Sequence, residues 1–278
     1  MRNLPVIDSP ANPRMRGVVK LRDQRQRRKT GLFIAEGMRE VQRALEAGLV
    51  LREGFVCPAL VRPHEREPVG QLSASGRDWF SIGERLMGTV AYRENPACVL
   101  AIFEQRLWTL EQFEKIPAAE GRSDLWLVAV GTTKPGNLGA MARSAAAAGT
   151  RGLIVAEGVV DPVNPNAIRA STGAVFGLPI AAATSDAVLR FLSGRGTRIF
   201  AAVPHASTPY TAADMTGPTA VVVGAEDSGL GPPWTEDAEQ VRSVAIPMHH
   251  RCVDSLNTSA AAAIVLFEAA RQRRAVGS

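Results

Sequence analysis

The feature that most limits the fold is the alternation, after residue 123, of short continuous apolar runs with helical segments. The first run, LWLVAV at 125–130, contains no polar position, which is typical of a parallel strand buried on both faces. This alternation predicts an α/β fold built on a parallel sheet. The remaining elements of this half are predicted as strands at 152–157, 197–204, 219–226 and 241–248 and helices at 137–149 and 255–274.

The first third of the chain also alternates strand and helix signals, which predicts a separate, smaller α/β domain. At 278 residues the chain exceeds a typical single domain. We expect a first domain over 1–105, a linker over 106–122 and a second domain over 123–278. The elements predicted in the first domain are strands at 32–37, 54–61 and 97–104, helices at 38–48 and 81–90, and a polar loop at 62–78.

Positive charge is concentrated at the beginning of the chain. The formal net charge is +5, yet residues 1–31 alone carry a balance of +7 and residues 32–278 a balance of −2. Such a concentration favours a surface that binds a polyanion, with a solvated helix face as the plain alternative. The side chains predicted to contact the polyanion are Arg25, Arg27, Arg28 and Lys29.

Membrane, secretory and metal functions are not supported by the sequence. No apolar run of about 18 residues is found, and the N-terminal stretch lacks the apolar core of a secretory signal. The three cysteines form no CxxC pair, and no cluster of metal ligands is evident. We therefore expect a cytoplasmic protein with no metal site and no membrane partner.

Three common nucleotide and hydrolase motifs fail at the residue that carries their chemistry. GTTKPG (131–136) has the glycine spacing of a P-loop, but Asn137 and Leu138 stand where Lys and Ser or Thr are required. No GxGxxG follows a predicted strand, which argues against a nicotinamide site. In GAEDSG (224–229), Glu226 occupies the position of the nucleophilic serine in GxSxG.

Three polar loops remain, and each follows a predicted strand at the edge where α/β sheets bind ligands. Taken singly, each has a structural explanation, because Asn137, Ser255 and Asn257 can cap helices and glycines can form turns. Their occurrence together favours a ligand site. The loops are NLGAMARSA (137–145), GAEDSGL (224–230), and IPM (246–248) continuing to DSLNTS (254–259).

These loops resemble the three motifs of the SpoU, or TrmH-like, branch of the SPOUT RNA methyltransferases. The motifs run N-x-G-x-x-x-R-x-A, G-x-E-x-x-G-L and I-P-M followed by S-L-N-x-S, and the resemblance covers roughly 123–274, including a linking element at 168–179. The stretches FIAEG (33–37) and VLAIF (99–103) are similar to the family's substrate domain. One departure is the loop 249–254, which contains Arg251 and is longer and more basic than is usual in the family.

The resemblance implies a fold and a reaction. It implies a trefoil-knotted, Rossmann-like catalytic domain after an RNA-binding domain like ribosomal protein L30e. It also implies a homodimer that methylates a ribose 2′-hydroxyl of rRNA, with 23S rRNA as the expected substrate. S-adenosylmethionine would be the cofactor, held by Gly224, Ala225, Glu226, Ile246, Met248, Ser255, Leu256 and Asn257.

The same resemblance assigns catalytic residues. Arg143 would be essential, and Asn137, Glu226, Ser255 and Asn257 would orient the reacting groups. A free arginine has a pKa above about 12 and donates hydrogen bonds, so two roles for Arg143 stay open. Either an unusual environment makes Arg143 the base, or it binds phosphate while another group takes the proton. An ion pair between Glu226 and Arg143 would favour the second role.

The biological role has several alternatives. The Arg- and Ala-rich composition resembles that of actinobacterial relatives that protect 23S rRNA from ribosome-targeting antibiotics, namely the avilamycin and thiostrepton resistance enzymes. Housekeeping methylation of rRNA or tRNA is the rival interpretation. A protein of another class, a non-catalytic RNA-binding factor for ribosome assembly, would be expected to have damaged motifs, whereas all the motif residues are present.

Overall fold

The computed structural model describes residues 4–74, 78–116, 124–158, 161–235, 240–250 and 252–276. The chain divides into two compact units, Met1–Arg106 with Val163–Gly177, and Leu107–Pro162 with Leu178–Ser278. The segment Val163–Gly177 thus groups with the first unit, although it follows the predicted linker. The domain limits at 105 and 123 stay a prediction, and residues 117–122 of the linker lie outside the described residues.

The first unit contains a mixed sheet in the order β1-β4-β3-β5-β2. Strands β1, β4 and β3 are parallel, whereas β5 pairs antiparallel with both β3 and β2. Its strands are β1 (Val6–Ile7), β2 (Leu32–Glu36), β3 (Leu51–Val56), β4 (Trp79–Ile82) and β5 (Val99–Glu104). Its helices are α1 (Pro13–Lys20), α2 (Gln24–Thr30), α3 (Met38–Glu46), α4 (Arg66–Ala74), α5 (Glu84–Val90), α8 (Pro165–Ser171) and α9 (Ala174–Gly177).

Two local predictions in this unit are wrong. The polar stretch 62–78 was expected to be a loop, but it contains α4, in which Pro68 lies within the first turn, where a missing N–H costs little. Burial of Val69 and Leu72 stabilises this helix. The helix expected at 81–90 is shorter than predicted. Ser81 and Ile82 complete β4, and the helix begins only at Glu84.

The second unit is built on six described strands, all parallel, in the order β11-β9-β10-β6-β7-β8. This agrees with the α/β fold predicted from the apolar runs. Its strands are β6 (Leu125–Val130), β7 (Gly152–Ala156), β8 (Ile180–Ala183), β9 (Arg198–Ala202), β10 (Thr219–Val223) and β11 (Val241–Val244). Its helices are α6 (Leu110–Glu114), α7 (Pro135–Ala148), α10 (Ser185–Ser193) and α11 (Thr258–Val276).

The direction of the strand order changes in the middle of this sheet. The chain passes outward from β6 to β7 and β8, then crosses to β9 and returns to place β10 beside β6. Such a switch point leaves a crevice at the carboxyl ends of the strands, where α/β proteins bind ligands. Helices α7 and α11 pack together beside these two central strands. The trefoil knot implied by the resemblance stays a prediction.

One helix of the second unit ends at the residue that the sequence predicted. Helix α7 stops at Gly149, which adopts the left-handed conformation with φ of +79°. In α11 the buried side chains include Ala262, Val265 and Leu266, whereas Ala260 is exposed. Strand β8 and helix α10 were missed, and α6 lies in the segment predicted to be a linker.

Within the described ranges, every helix is too short or too polar to cross a membrane. The same residues form no group of three or more His, Cys, Asp and Glu side chains that could hold a metal ion.

Candidate active site

The first and second motif loops leave the same edge of the sheet because β6 and β10 are neighbouring parallel strands. Their register pairs Val223 with Ala129, so the two strands end almost level with each other. The chain then continues into Gly131 on one side and Gly224 on the other. The two motifs are therefore held together by the sheet itself, which is a rigid support.

Gly224 is required by the conformation of its own loop. A Cβ atom at this position would lie 2.4 Å from the backbone C and O of Gly229 and 2.8 Å from the backbone N of Leu230. The loop turns back on itself here, since the Gly229 N–H donates to the Ala225 carbonyl over 3.0 Å and Gly229 has φ of +66°. A glycine at 224 thus lets the loop fold tightly, a constraint additional to any approach by a ligand.

A cavity of about 190 Å³ opens beside this loop, at the ends of β9, β10 and β11. Of the eight residues predicted to bind the cofactor, seven line it, and Asn257 is the exception. Sequence reasoning missed the wall formed by 202–204, although the end of β9 lies at the same sheet edge. The cavity is lined by Ala202, Val203, Pro204, Val223, Gly224, Ala225, Glu226, Gly229, Leu230, Thr235, Val244, Ile246, Met248, Ser255, Leu256, Thr258 and Ala261.

The third motif is fixed at the beginning of α11. Asn257 caps this helix, because its Oδ1 accepts hydrogen bonds from the Ser259 N–H at 3.0 Å and from the Ser259 hydroxyl at 2.5 Å. The next residue ties the helix to the second motif, since the Thr258 hydroxyl donates to the Gly224 carbonyl over 3.1 Å. Asn257 can therefore cap the helix through its amide oxygen and also take part in the site, because its amide nitrogen faces the other two motifs.

A polar network joins all three motifs beside the cavity. The Asn257 side-chain N–H group donates to Glu226 Oε1 and to Asn137 Oδ1, the latter over 3.2 Å. Glu226 also forms an ion pair with Lys134, whose side chain is half-exposed. Lys134 occupies the N-cap position of α7. Lys134 was missed by sequence reasoning, although its position between the end of β6 and Asn137 could have pointed to it.

The network perturbs the titration of its charged members. The pKa of Glu226 is lowered, chiefly by the hydrogen bond from Lys134 and then by the one with Asn137. The pKa of Lys134 is raised by the same contact with Glu226. The buried hydroxyl of Thr132 lines this polar recess and finds no hydrogen-bond partner among the described residues. The recess therefore presents the paired carboxylate of Glu226, the amide of Asn137 and an uncommitted hydroxyl.

Arg143 is exposed on α7, and its side chain has no hydrogen bond or ion pair with any described residue. The ion pair between Glu226 and Arg143 considered from the sequence is not formed, because Glu226 pairs with Lys134 instead. Ser255 is exposed at the rim of the cavity. Arg251, in the long basic loop, lies outside the described residues.

The basic residues of the first unit differ in their accessibility. Arg25, Arg28 and Lys29 are exposed on α2. Arg27 is only 1% exposed, and its Nη1 donates to the carbonyls of Leu21 and Arg22 over 2.8 and 2.7 Å. Arg27 therefore completes the end of α1 inside the unit, so in this conformation its guanidinium cannot contact an RNA phosphate.

Comparison with known proteins agrees with these motifs. The model of the SpoU rRNA Methylase family matches residues 124–267, and that of the MRM3-like substrate binding domain matches residues 12–101. A relative from Synechocystis, the uncharacterized tRNA/rRNA methyltransferase slr1673, is 30% identical over 98% of this chain and 96% of its own length.

Two further proteins extend the comparison. The 23S rRNA (uridine(2479)-2′-O)-methyltransferase of Streptomyces viridochromogenes is 31% identical over 91% of this chain and 87% of its own. The AdoMet-bound crystal structure of an rRNA methyltransferase from Sinorhizobium meliloti is 30% identical and superposes with a TM-score of 0.81, covering 95% and 97% of the two chains. The chain belongs to the SpoU rRNA methylase family.

Proposed function

We propose that this chain transfers a methyl group from S-adenosylmethionine to a ribose 2′-hydroxyl of 23S rRNA. The observation that carries the proposal is the meeting of the three motifs, with an apolar cavity on one side of Glu226 and a polar recess on the other. The relative from Streptomyces viridochromogenes is named for this reaction on 23S rRNA, and the Sinorhizobium meliloti structure contains AdoMet.

The cavity suits the cofactor in its chemistry. Its walls are mainly aliphatic, which fits a flat, neutral adenine, and several lining positions are loop residues whose backbone groups can donate or accept hydrogen bonds. Gly224, Ile246, Met248 and Leu256 would hold the adenine end. When bound, S-adenosylmethionine supplies a methyl group already activated by the sulfonium charge.

The remaining task of the protein is to align the ribose hydroxyl and to remove its proton. Alignment of two reactants in a bound pair lowers a barrier by several kcal/mol, roughly 7–11 at best. In our proposal Lys134 holds the Glu226 carboxylate in place, and Glu226 with Asn137 fixes the amide of Asn257 beside the cavity. Ser255, exposed at the rim, would then orient the substrate hydroxyl by a hydrogen bond, while Asn257 holds the three motifs in place.

Arg143 is the residue proposed to meet the RNA. It is exposed and uncommitted among the described residues, whereas the carboxylate of Glu226 is already paired. A guanidinium that is free to form a planar pair is well suited to a phosphate oxygen. We therefore favour the role in which Arg143 binds the phosphate beside the target ribose and polarises its hydroxyl. As the hydroxyl oxygen takes the methyl group from the sulfonium, its proton would pass to solvent water, which reaches the exposed rim of the site.

Assembly and location are part of the proposal. Phe267 is 44% exposed on α11 and Ala260 is exposed on the same helix, which supports a homodimer that covers this face. The substrate domain model over 12–101 and the exposed basic residues of α2 support docking of the RNA on the first unit. We place the enzyme in the cytoplasm, where it would meet ribosomal RNA.

The reaction is tested with labelled cofactor and 23S rRNA. Methylation of a ribose removes the internal nucleophile of alkaline hydrolysis, so the label is expected in an alkali-resistant dinucleotide. Label released in mononucleotides, on base atoms, would refute the ribose assignment. Omission of the protein and use of tRNA are the controls, and preferential label in tRNA would favour the rival substrate.

The non-catalytic alternative is separated by calorimetric titration. A ribosome-assembly factor that kept only the fold would bind RNA without taking up S-adenosylmethionine. The proposed enzyme is expected to bind the cofactor in the absence of RNA. A role in antibiotic resistance is a further question, which requires comparing the drug sensitivity of cells with and without the gene.

A further inference from the structure

The first unit carries an exposed aromatic side chain that is fixed at both ends. Tyr92 is 40% exposed, and its hydroxyl accepts a hydrogen bond from the Asn166 side chain over 3.0 Å. At the other end the Tyr92 backbone N–H donates to Glu36 Oε2 over 2.8 Å. These two hydrogen bonds fix the position of the tyrosine ring while the residue stays open to solvent.

The loop that carries Tyr92 is held by a buried carboxylate. Besides the Tyr92 N–H, Glu36 accepts the backbone N–H groups of Arg93 at 3.2 Å and Ala97 at 3.4 Å. The Arg93 guanidinium donates to the Glu36 carbonyl over 2.8 Å and lies 3.4 Å from Glu40. These bonds order the loop without a ligand. A ligand that bound there would therefore pay little entropy for fixing the loop.

A cation that is free to meet a phosphate lies beside the ring. Tyr92 and Arg169 both line a shallow recess of about 20 Å³, whose remaining walls include Ile34 and Ile168. Arg169 is exposed, and among the described residues its side chain has no hydrogen bond or ion pair. It is also the one charged residue of the segment 163–177, which belongs to this unit.

We infer that Tyr92 and Arg169 form a binding site for an unpaired RNA nucleotide, with the base stacked on the tyrosine ring and its phosphate paired with Arg169. This inference rests on the proposed function, in which RNA is the substrate. An aromatic ring stacks on any base, and the adjacent guanidinium supplies the charge that a nucleotide requires. Arg93 is already committed to Glu36 and Glu40, so it keeps the loop in place and does not supply that charge.

Binding of two short single strands tests the stacking. One is a fluorescein-labelled oligoadenylate, and the other is an abasic ribose-phosphate chain of the same length, both titrated against the full-length protein. Tyr92→Ala is expected to weaken oligoadenylate binding by about five- to hundredfold, the range for removal of one base–aromatic stack. The abasic chain is expected to bind wild type and Tyr92→Ala equally. Tyr92→Phe keeps the ring and is expected to retain most of the affinity.

Matched variants separate stacking from loss of structure. Tyr210→Ala removes the other tyrosine of the chain, which lies in the second unit, and Tyr92→Leu keeps an apolar side chain without a π face. Tyr92→Leu should behave as Tyr92→Ala does, and thermal melting should be unchanged. Arg169→Gln should flatten the dependence of the logarithm of the oligoadenylate binding constant on the logarithm of the salt concentration, by about 0.7 in slope. Arg52→Gln, which removes a residue paired with Glu104, should leave this slope unchanged.

The outcomes distinguish this site from the proposed function. If Tyr92→Ala binds oligoadenylate as tightly as wild type does, the stacking site is refuted while the enzyme proposal stands. The same holds if the substitution weakens binding of the abasic chain as much as it weakens binding of oligoadenylate. If wild type binds neither strand, and also fails to label 23S rRNA, both proposals are refuted. If wild type labels 23S rRNA but binds neither strand, the stacking site alone is refuted.

Discussion

The two units hold their predicted functional residues in different ways. In the second unit the motif residues meet because neighbouring parallel strands end level with each other and the backbone around Gly224 has no room for a side chain. In the first unit, the four predicted RNA contacts on α2 shared only a positive charge and neighbouring positions in the sequence. One of them, Arg27, is buried and supports the end of α1. A motif that depends on backbone geometry thus identifies a site more reliably than a count of charges does.

The largest effect on activity is expected from Arg143→Ala in the second unit. We expect methyl transfer to fall by about 10²–10⁴-fold, the range for removal of a group that assists proton transfer or stabilises charge. Affinity for S-adenosylmethionine should survive, because the cavity lining does not include Arg143. Calorimetry and a labelled-methyl assay measure the two effects. Activity near that of wild type would remove Arg143 from the mechanism.

Arg27→Met tests the structural role assigned to the buried arginine. It leaves the carbonyls of Leu21 and Arg22 without this donor, so the free energy of unfolding should fall by about 2–4 kcal/mol. Arg25→Met, on the exposed side of the same helix, is the matched control and should cost less than about 0.5 kcal/mol. Equal denaturation midpoints for the two variants would contradict the contrast between them.

Gly224→Ala tests whether the backbone defines the cofactor loop. The new Cβ would meet the Gly229 backbone at 2.4 Å, so the loop must move, at a cost of about 1–3 kcal/mol in stability. Calorimetry should show that S-adenosylmethionine binding is abolished or strongly weakened. Gly88→Ala, where a Cβ meets nothing within 4 Å, is the control. Unchanged cofactor affinity would mean that the loop is less constrained than its geometry indicates.

Lys134→Met tests the ion pair that the sequence did not reveal. Glu226 has a lowered pKa, so its charge supports the network above that pKa and is lost as the pH falls through it. Without Lys134 the pKa of Glu226 should rise towards its ordinary value, and the acid limb of the transfer rate should move to higher pH. Lys134→Arg keeps the charge and should restore the profile. An acid limb that does not move would exclude Lys134 as a positioning residue.

Removal of the exposed charges of α2 should give the smallest effect. Arg25, Arg28 and Lys29 replaced together by Gln should weaken RNA binding and flatten the salt dependence by about 0.7–0.9 in log–log slope for each RNA phosphate that the variant no longer neutralises. Cofactor affinity should not change, because these residues belong to the other unit. An identical slope in wild type and variant would show that α2 is a solvated surface.

Much of the fold followed from apolar periodicity, and the failures have identifiable causes. The strands around LWLVAV were recognisable because a strand buried on both faces has no polar position. Helix α4 was missed because Pro and Ser indicate a loop, whereas tertiary burial of Val69 and Leu72 decided the outcome. Charge alone does not distinguish Arg27 from Arg28, since burial depends on which way α2 faces the core.

The candidate site was predictable in its residues but not in its pairings. The sequence placed Asn137, Glu226 and Asn257 in three loops, and the structure brings them within hydrogen-bonding distance. The partner of Glu226 could not be chosen from sequence, because Lys134 and Arg143 both lie near Asn137 along the chain. The geometry of the strand ends, which selects Lys134, is a property of the folded sheet.

The most direct test of the central claim is a map of 2′-O-methylated nucleotides on 23S rRNA incubated with S-adenosylmethionine and either wild type or Arg143→Ala. Wild type is expected to methylate a single ribose, and Arg143→Ala, which should still bind the cofactor, is expected to leave that position unmodified. A wild-type map identical to that of untreated rRNA, obtained with a protein that binds S-adenosylmethionine, would contradict the assignment of this chain as a 23S rRNA ribose methyltransferase.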